Sequence, residues 1–65
     1  MSTLTNPWQT PEELAEELRI PVGTIYQWRY RGVGPLGHRI GRHVRYHRAD
    51  VDRWLAEQRD TRGVS

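Results

Sequence analysis

The strongest constraint on the fold is an interruption between two apolar helical faces. Leu14, Ala15 and Leu18 mark one face, Ile25 and Trp28 mark another, and Ile20-Pro21-Val22-Gly23 stands between them. Proline has no N–H and its ring clashes with the preceding turn, so one helix cannot run through this segment. Two short helices remain, about Pro11 to Arg19 and about Val22 to Tyr30 or Arg31. The first has clear start signals: Thr10 suits the N-cap, Pro11 suits the first helical position, and Glu13 completes a capping box. Glu12 and Glu13 also favour the positive end of the helix dipole. Two helices joined by a tight turn form a helix-turn-helix pattern.

The rest of the chain changes period. Gly32, Gly34, Pro35 and Gly37 end the second helix and impose a loop. From His38 to Tyr46 the period is 2, with Ile40, Val44 and Tyr46 inward around a Gly41-Arg42-His43 turn, which predicts a β-hairpin. Ala49 to Arg59 predicts a third helix, with Val51, Trp54 and Leu55 inward and Asp50 and Asp52 in its first turn. Residues 1–9 read as a flexible lead-in tacked down by Leu4 and Trp8, and Thr61 to Ser65 as a frayed end. The expected fold is mainly α with a small β-hairpin: three short helices plus a two-stranded wing, a winged helix-turn-helix. It forms a single domain over 1–65, with an ordered core at about 8–59.

A chain of 65 residues buries only roughly 60% of its unfolded surface. It has no cysteine for a disulfide or a thiolate zinc site, so Trp28, Trp54 and Tyr46 are expected to join the aliphatic residues of the core, and Trp8 to pack on the first helix. No apolar run approaches the ~20 residues that span a bilayer. The start Met-Ser-Thr-Leu-Thr-Asn lacks the regions of a secretion signal, so a cytoplasmic protein is expected, with no membrane partner.

Charge is strongly segregated. All ten basic residues are arginine. From Leu18 to Ala49 there are seven arginines, three histidines and no acid, a local charge of +7 inside a net charge of +2. A concentrated basic surface on a small domain suits a polyanion, and the guanidinium fork fits phosphates and guanine edges. Thr24, Tyr26, Gln27, Arg29, Tyr30 and Arg31 fall on or near the outer side of the second helix, while Arg39, Arg42, His43 and Arg45 belong to the hairpin. A merely solvated basic face is the plain alternative, and so many arginines without one acid argue against it.

Other chemistry has little support. His43 and His47 have a spacing that chelates metal on a helix, but four residues of strand part them by ~13 Å, so no metal is expected. Glu12/Glu16 and Glu13/Glu17 read as solvated acids on an exposed helix start, without a cleft. No serine or cysteine nucleophile has a partner base. An enzyme, a cofactor and a small-molecule ligand are therefore not expected.

Taken in order, Leu14-Ala15 to Leu18, Ile20-Pro21-Val22, Thr24-Ile25-Tyr26-Gln27-Trp28, Gly34-Pro35, Arg39-Ile40-Gly41-Arg42 to Arg45-Tyr46, and Asp50-Val51 to Trp54-Leu55 resemble the MerR-like, excisionase-type DNA-binding family. The match covers about residues 8–57. The resemblance implies a double-stranded DNA binder whose second helix enters the major groove and whose hairpin, the wing, meets the adjacent minor groove and backbone. It implies Thr24, Tyr26, Gln27, Arg29, Tyr30 and Arg31 at the major groove. Arg42 and His43 would form the wing tip, flanked by Arg39 and Arg45. Tyr26 and Tyr30 would donate to phosphates or pack on sugars. The long dimerisation helix and effector domain of MerR regulators proper are not in this sequence. An architectural excisionase partnered by an integrase is the leading expectation, with head-to-tail copies on DNA that set acidic helices against a neighbour's basic wing. The alternatives are a small MerR-like transcription regulator and, from another class, a protein-interaction module.

Overall fold

The computed structural model describes residues 6–58. Strand β1 (Trp8–Gln9) leads into helix α1 (Pro11–Leu18) and helix α2 (Val22–Arg31). Strands β2 (Gly37–Ile40) and β3 (His43–His47) follow, and then helix α3 (Arg48–Glu57). The molecule is a winged helix-turn-helix. Leu4, Arg59 and the segment from Thr61 to Ser65, for which the sequence carried expectations, lie outside the described residues.

Helix α1 begins as its sequence dictates. The Thr10 hydroxyl accepts the Glu13 N–H at 3.0 Å, and the Glu13 carboxylate accepts the Thr10 N–H at 2.9 Å. The helix ends one residue before the expected Arg19. Arg19 adopts a left-handed conformation, φ 60° and ψ 45°. The N–H of Ile20 reaches the Ala15 carbonyl at 3.0 Å and that of Arg19 reaches the Glu16 carbonyl at 3.2 Å, which is the Schellman closure. Pro21 then stands at the N-cap of α2. Gly32, at φ 75°, closes α2 by the same device.

The sheet has three antiparallel strands in the order β1-β3-β2. This corrects the lead-in reading for Trp8 and Gln9, since Trp8 pairs with His47 and Gln9 with Tyr46. Two residues are too few to show a period, and their pairing comes from the strand beside them. Trp8 does not pack into the core on α1. It is 37% exposed, with its ring edge-on to His38 and His47 at 5.2 and 4.7 Å.

The hairpin corrects a register. Ile40 pairs with His43 across Gly41 and Arg42, so the turn has two residues rather than three. Gly41 takes φ 65°, the positive value that a type II′ turn requires at its first central position. A one-residue change of register moves a side chain to the other face of the sheet. Ile40, expected inward with Val44 and Tyr46, is therefore 50% exposed, whereas Tyr46 is buried and Val44 packs on the core. His43 stands on β3 rather than in the turn.

Leu14, Ala15, Ile25, Tyr46 and Val51 form the buried core, with Leu18, Ile20, Val22, Trp28, Val44 and Leu55 packed around it. Trp28 and Trp54 are half-buried rather than central, and their rings meet at 5.0 Å. Helix α3 starts at Arg48, one residue before the expected Ala49, because the His47 ring accepts the Ala49 N–H at 3.1 Å as its cap. It ends at Glu57, before the expected Arg59.

Arg19 supplies a test. A side chain in the left-handed region costs roughly 1–2 kcal/mol, partly offset by the backbone entropy that glycine loses on folding. Arg19→Gly should stabilise the domain by about 0.5–1 kcal/mol, read as a raised denaturant midpoint at unchanged m value. A lowered midpoint would show that the arginine side chain contributes more than its backbone strain costs.

Candidate nucleic-acid interface

Helix α2 is built differently from its neighbours at its N-terminus. Helices α1 and α3 have side-chain caps, from Thr10 and His47, whereas Pro21 gives α2 none. The Thr24 N–H turns back to the Pro21 carbonyl at 3.0 Å. The first turn of α2 thus has no side chain on its leading N–H groups, and it carries no acid. Such a terminus is a ready anion site.

Ile25 is buried and Trp28 half-buried on the inner side of α2, which turns Gln27, Tyr30 and Arg31 outward. Tyr30 is 93% exposed. Thr24 is half-buried on the flank. Tyr26 is about half exposed, and its hydroxyl donates to Glu12 Oε2 of α1 at 2.8 Å. Arg29 lies across the base of the wing. A Cβ at Gly37 would stand 2.7 Å from Arg29 Nη1 and 3.2 Å from the Tyr46 ring, so the bare glycine is what lets this guanidinium approach β2. Burial pushes the Tyr46 phenol above its usual 10.0, and the neighbouring Arg29 charge works against that rise.

On the wing, Arg39, Arg42 and His43 are exposed. Arg45 is half-buried and bends back to donate to the Val44 carbonyl at 2.8 Å. Among the described residues, Arg29, Arg31, Arg39 and Arg42 pair with no carboxylate. Helix α2 and the wing therefore present unneutralised guanidinium groups from adjoining elements.

Arg48 is different, although it belongs to the same basic stretch. Its guanidinium holds Glu17 of α1 at 3.0 Å and Asp52 of α3 at 2.9 Å, and its N–H donates to the Pro7 carbonyl at 2.7 Å. It ties the start of α3 to α1 and to the segment before β1. The Arg48 hydrogen bond, with a second from Gln9, holds the Glu17 carboxyl below its usual 4.5. The pair with Asp52 is local, four residues along the helix, but nothing in the sequence marks the tie to Glu17, which is 31 residues away. A second link joins the wing to α3: His38 Nε2 and Asp50 Oδ2 lie 2.9 Å apart.

The remaining surface is shallow. Open clefts are lined by residues such as Trp8 with Glu13, Leu36 with Trp54, and Arg29 with Leu36. Among the described residues no group of three or more His, Asp or Glu is placed to hold a metal ion, and no helix is long and apolar enough to cross a membrane.

A carboxylate whose folded pKa is depressed contributes stability above its unfolded value and loses it as pH falls through the folded one. Stability should therefore drop as the pH is lowered below about 4.5, and Glu17→Gln should make that drop shallower. Both partners are more than a third exposed, so screening keeps the effect at pH 7 under about 1 kcal/mol. Chemical unfolding at a series of pH values measures it. An identical slope in the variant would sink the assignment.

Comparison with curated proteins gives no match. A family model described as a helix-turn-helix domain matches residues 9–59, which takes in the second residue of β1, both helices of the turn, the wing and α3. The uncapped α2 and the arginine-bearing wing beside it are thus features of a chain that belongs to the helix-turn-helix domain family of DNA-binding folds.

Proposed function

We propose that this domain binds duplex DNA sequence-specifically, with α2 in the major groove and the β2–β3 wing on the adjacent minor groove and backbone. The observation that carries this reading is a set of four arginines, Arg29, Arg31, Arg39 and Arg42, that pair with no carboxylate among the described residues and stand on two adjoining exposed elements of a helix-turn-helix chain. Gln27 is suited to the bidentate pair with adenine, and Arg31 to the guanine edge. Tyr30 meets sugar and phosphate, and the half-buried Thr24 sits beside the free N–H groups of the first turn, which take a phosphate. Arg39, Arg42, His43 and Arg45 follow the backbone and the narrow minor groove. The protein acts by binding, without catalysis.

Two substitutions separate these roles. Gln27→Ala should cost roughly 1–3 kcal/mol on the preferred site and relax selection at one base pair. Arg42→Ala should weaken binding to all sequences about equally and make the salt slope less steep by about 1. With about six phosphates neutralised, the wild-type log–log slope should be about −5. Fluorescence anisotropy at several salt concentrations reads all three. Unchanged selection in Gln27→Ala would mean that another face of α2 reads the bases.

We place this binding in site-specific recombination, as an excisionase-type architectural protein that binds attachment-site DNA and turns an integrase toward excision. The support is the resemblance of the ordered motifs from Leu14 to Leu55 to that family. An excision assay with the cognate integrase and attachment sites tests it: added protein should raise excision and suppress integration. An unchanged direction, together with altered transcription from a nearby promoter, would instead favour the small regulator.

A further inference from the structure

We propose that Tyr26 and Glu12 form a joint acceptor that selects an exocyclic amino group, adenine N6 or cytosine N4, in the major groove and repels phosphate, an inference that rests on the DNA-binding reading above. The argument is one of donor supply. A phenol has one O–H and two lone pairs. The Tyr26 proton is directed at Glu12 Oε2 at 2.8 Å. The outward side of the pair therefore offers only lone pairs, those of the phenol and those of the second carboxylate oxygen. Phosphate oxygens also only accept, so such a contact has no hydrogen to share. In the major groove the donors on base edges are the amino groups of adenine and cytosine, whereas guanine and thymine present acceptors there.

The surroundings keep the pair in this state. The bond from Tyr26 is the chief cause that holds the Glu12 carboxyl below its usual 4.5, with Arg45 assisting through space. The same bond is the chief cause that raises the Tyr26 phenol above 10.0. At neutral pH the carboxylate is ionised and the phenol keeps its proton. Both groups are exposed, and Tyr26 precedes Arg29 by three residues, about one helical turn, on α2. A carboxylate that faces the duplex lowers affinity for DNA in general. Specificity arises from such a repulsive element as well as from attraction. An amino group at the right base pair relieves the repulsion, and a wrong base leaves acceptor against acceptor.

The test begins with duplexes selected from a randomised pool by the full chain, followed by the same selection with Tyr26→Phe and with Glu12→Ala. Both variants should lose preference at one and the same base pair, and that pair should present adenine or cytosine to the protein. Replacing that base by its analogue without the amino group should weaken wild-type binding about tenfold and leave Tyr26→Phe unaffected. Glu12→Ala should also bind unrelated duplex several-fold more tightly. Thermal melts of the variants establish that each is folded. Preference unchanged in both variants, or lost at different positions, would overturn the proposal and leave the Tyr26–Glu12 bond as a clip between α1 and α2. The DNA-binding reading would survive that result. Failure of the wild-type chain to select any duplex would overturn both.

Discussion

The fold depends on the burial of one side chain, Tyr46. It is the largest fully buried residue, and it stands on the central strand, opposite Gln9 on one side and Gly37 on the other. Around it gather Leu14 and Ala15 from α1, Ile25 from α2 and Val51 from α3. A domain of this size has room for only one core, and an aromatic ring at its centre supplies area that several small residues would otherwise have to provide. The same ring joins core to surface. Its edge approaches the Arg29 guanidinium, so the position of an exposed arginine on α2 is fixed by the wing through a buried group.

Around this centre, polar interactions divide into two kinds. Some close the structure: the Thr10–Glu13 box, the His47 cap, the His38–Asp50 contact and the Arg48 bridge all lock one element to another or finish a helix end. Others are left open, chiefly the first turn of α2 and the guanidinium groups of α2 and the wing. In a chain with so little core, every open polar group forgoes a possible stabilising contact. The open groups of α2 and the wing lie where a polyanion would satisfy them together, and the closed ones bind α1, α3 and the sheet into a platform.

Much of this was legible in the sequence, where the signal is local. The capping box at Thr10, the break at Pro21, the inward Ile25 and Val51, and the period-2 stretch ending in Tyr46 each follow from neighbouring residues. The misreadings share a cause too. Whether Gly41-Arg42-His43 is a turn of three residues or of two cannot be told from composition, yet the difference moves Ile40 to the opposite face. Strand β1 exists because β3 offers it a partner, and Arg19 turns left-handed because the helix must stop before Pro21. At the interface, exposure of Gln27, Tyr30 and Arg31 agrees with the helical period, whereas Arg39 pairs with Val44 on the face that also carries Tyr46 and is exposed despite the strand period. What the sequence concealed were couplings at long range, Tyr26 to Glu12 and Arg48 to Glu17, which only the folded chain brings together.

The strand order has a colloidal consequence. With β3 in the centre, β2 forms an outer margin of the sheet, and its free backbone groups could template pairing with another molecule. Arg39 on that strand and Arg42 at its end set like charges against any such approach. Guanidinium groups here thus guard against edge-to-edge aggregation, whatever ligand they also serve. Neutral replacements at these two positions would expose a bare ribbon margin, and with it a tendency to precipitate that has no counterpart in the folded monomer's own energetics.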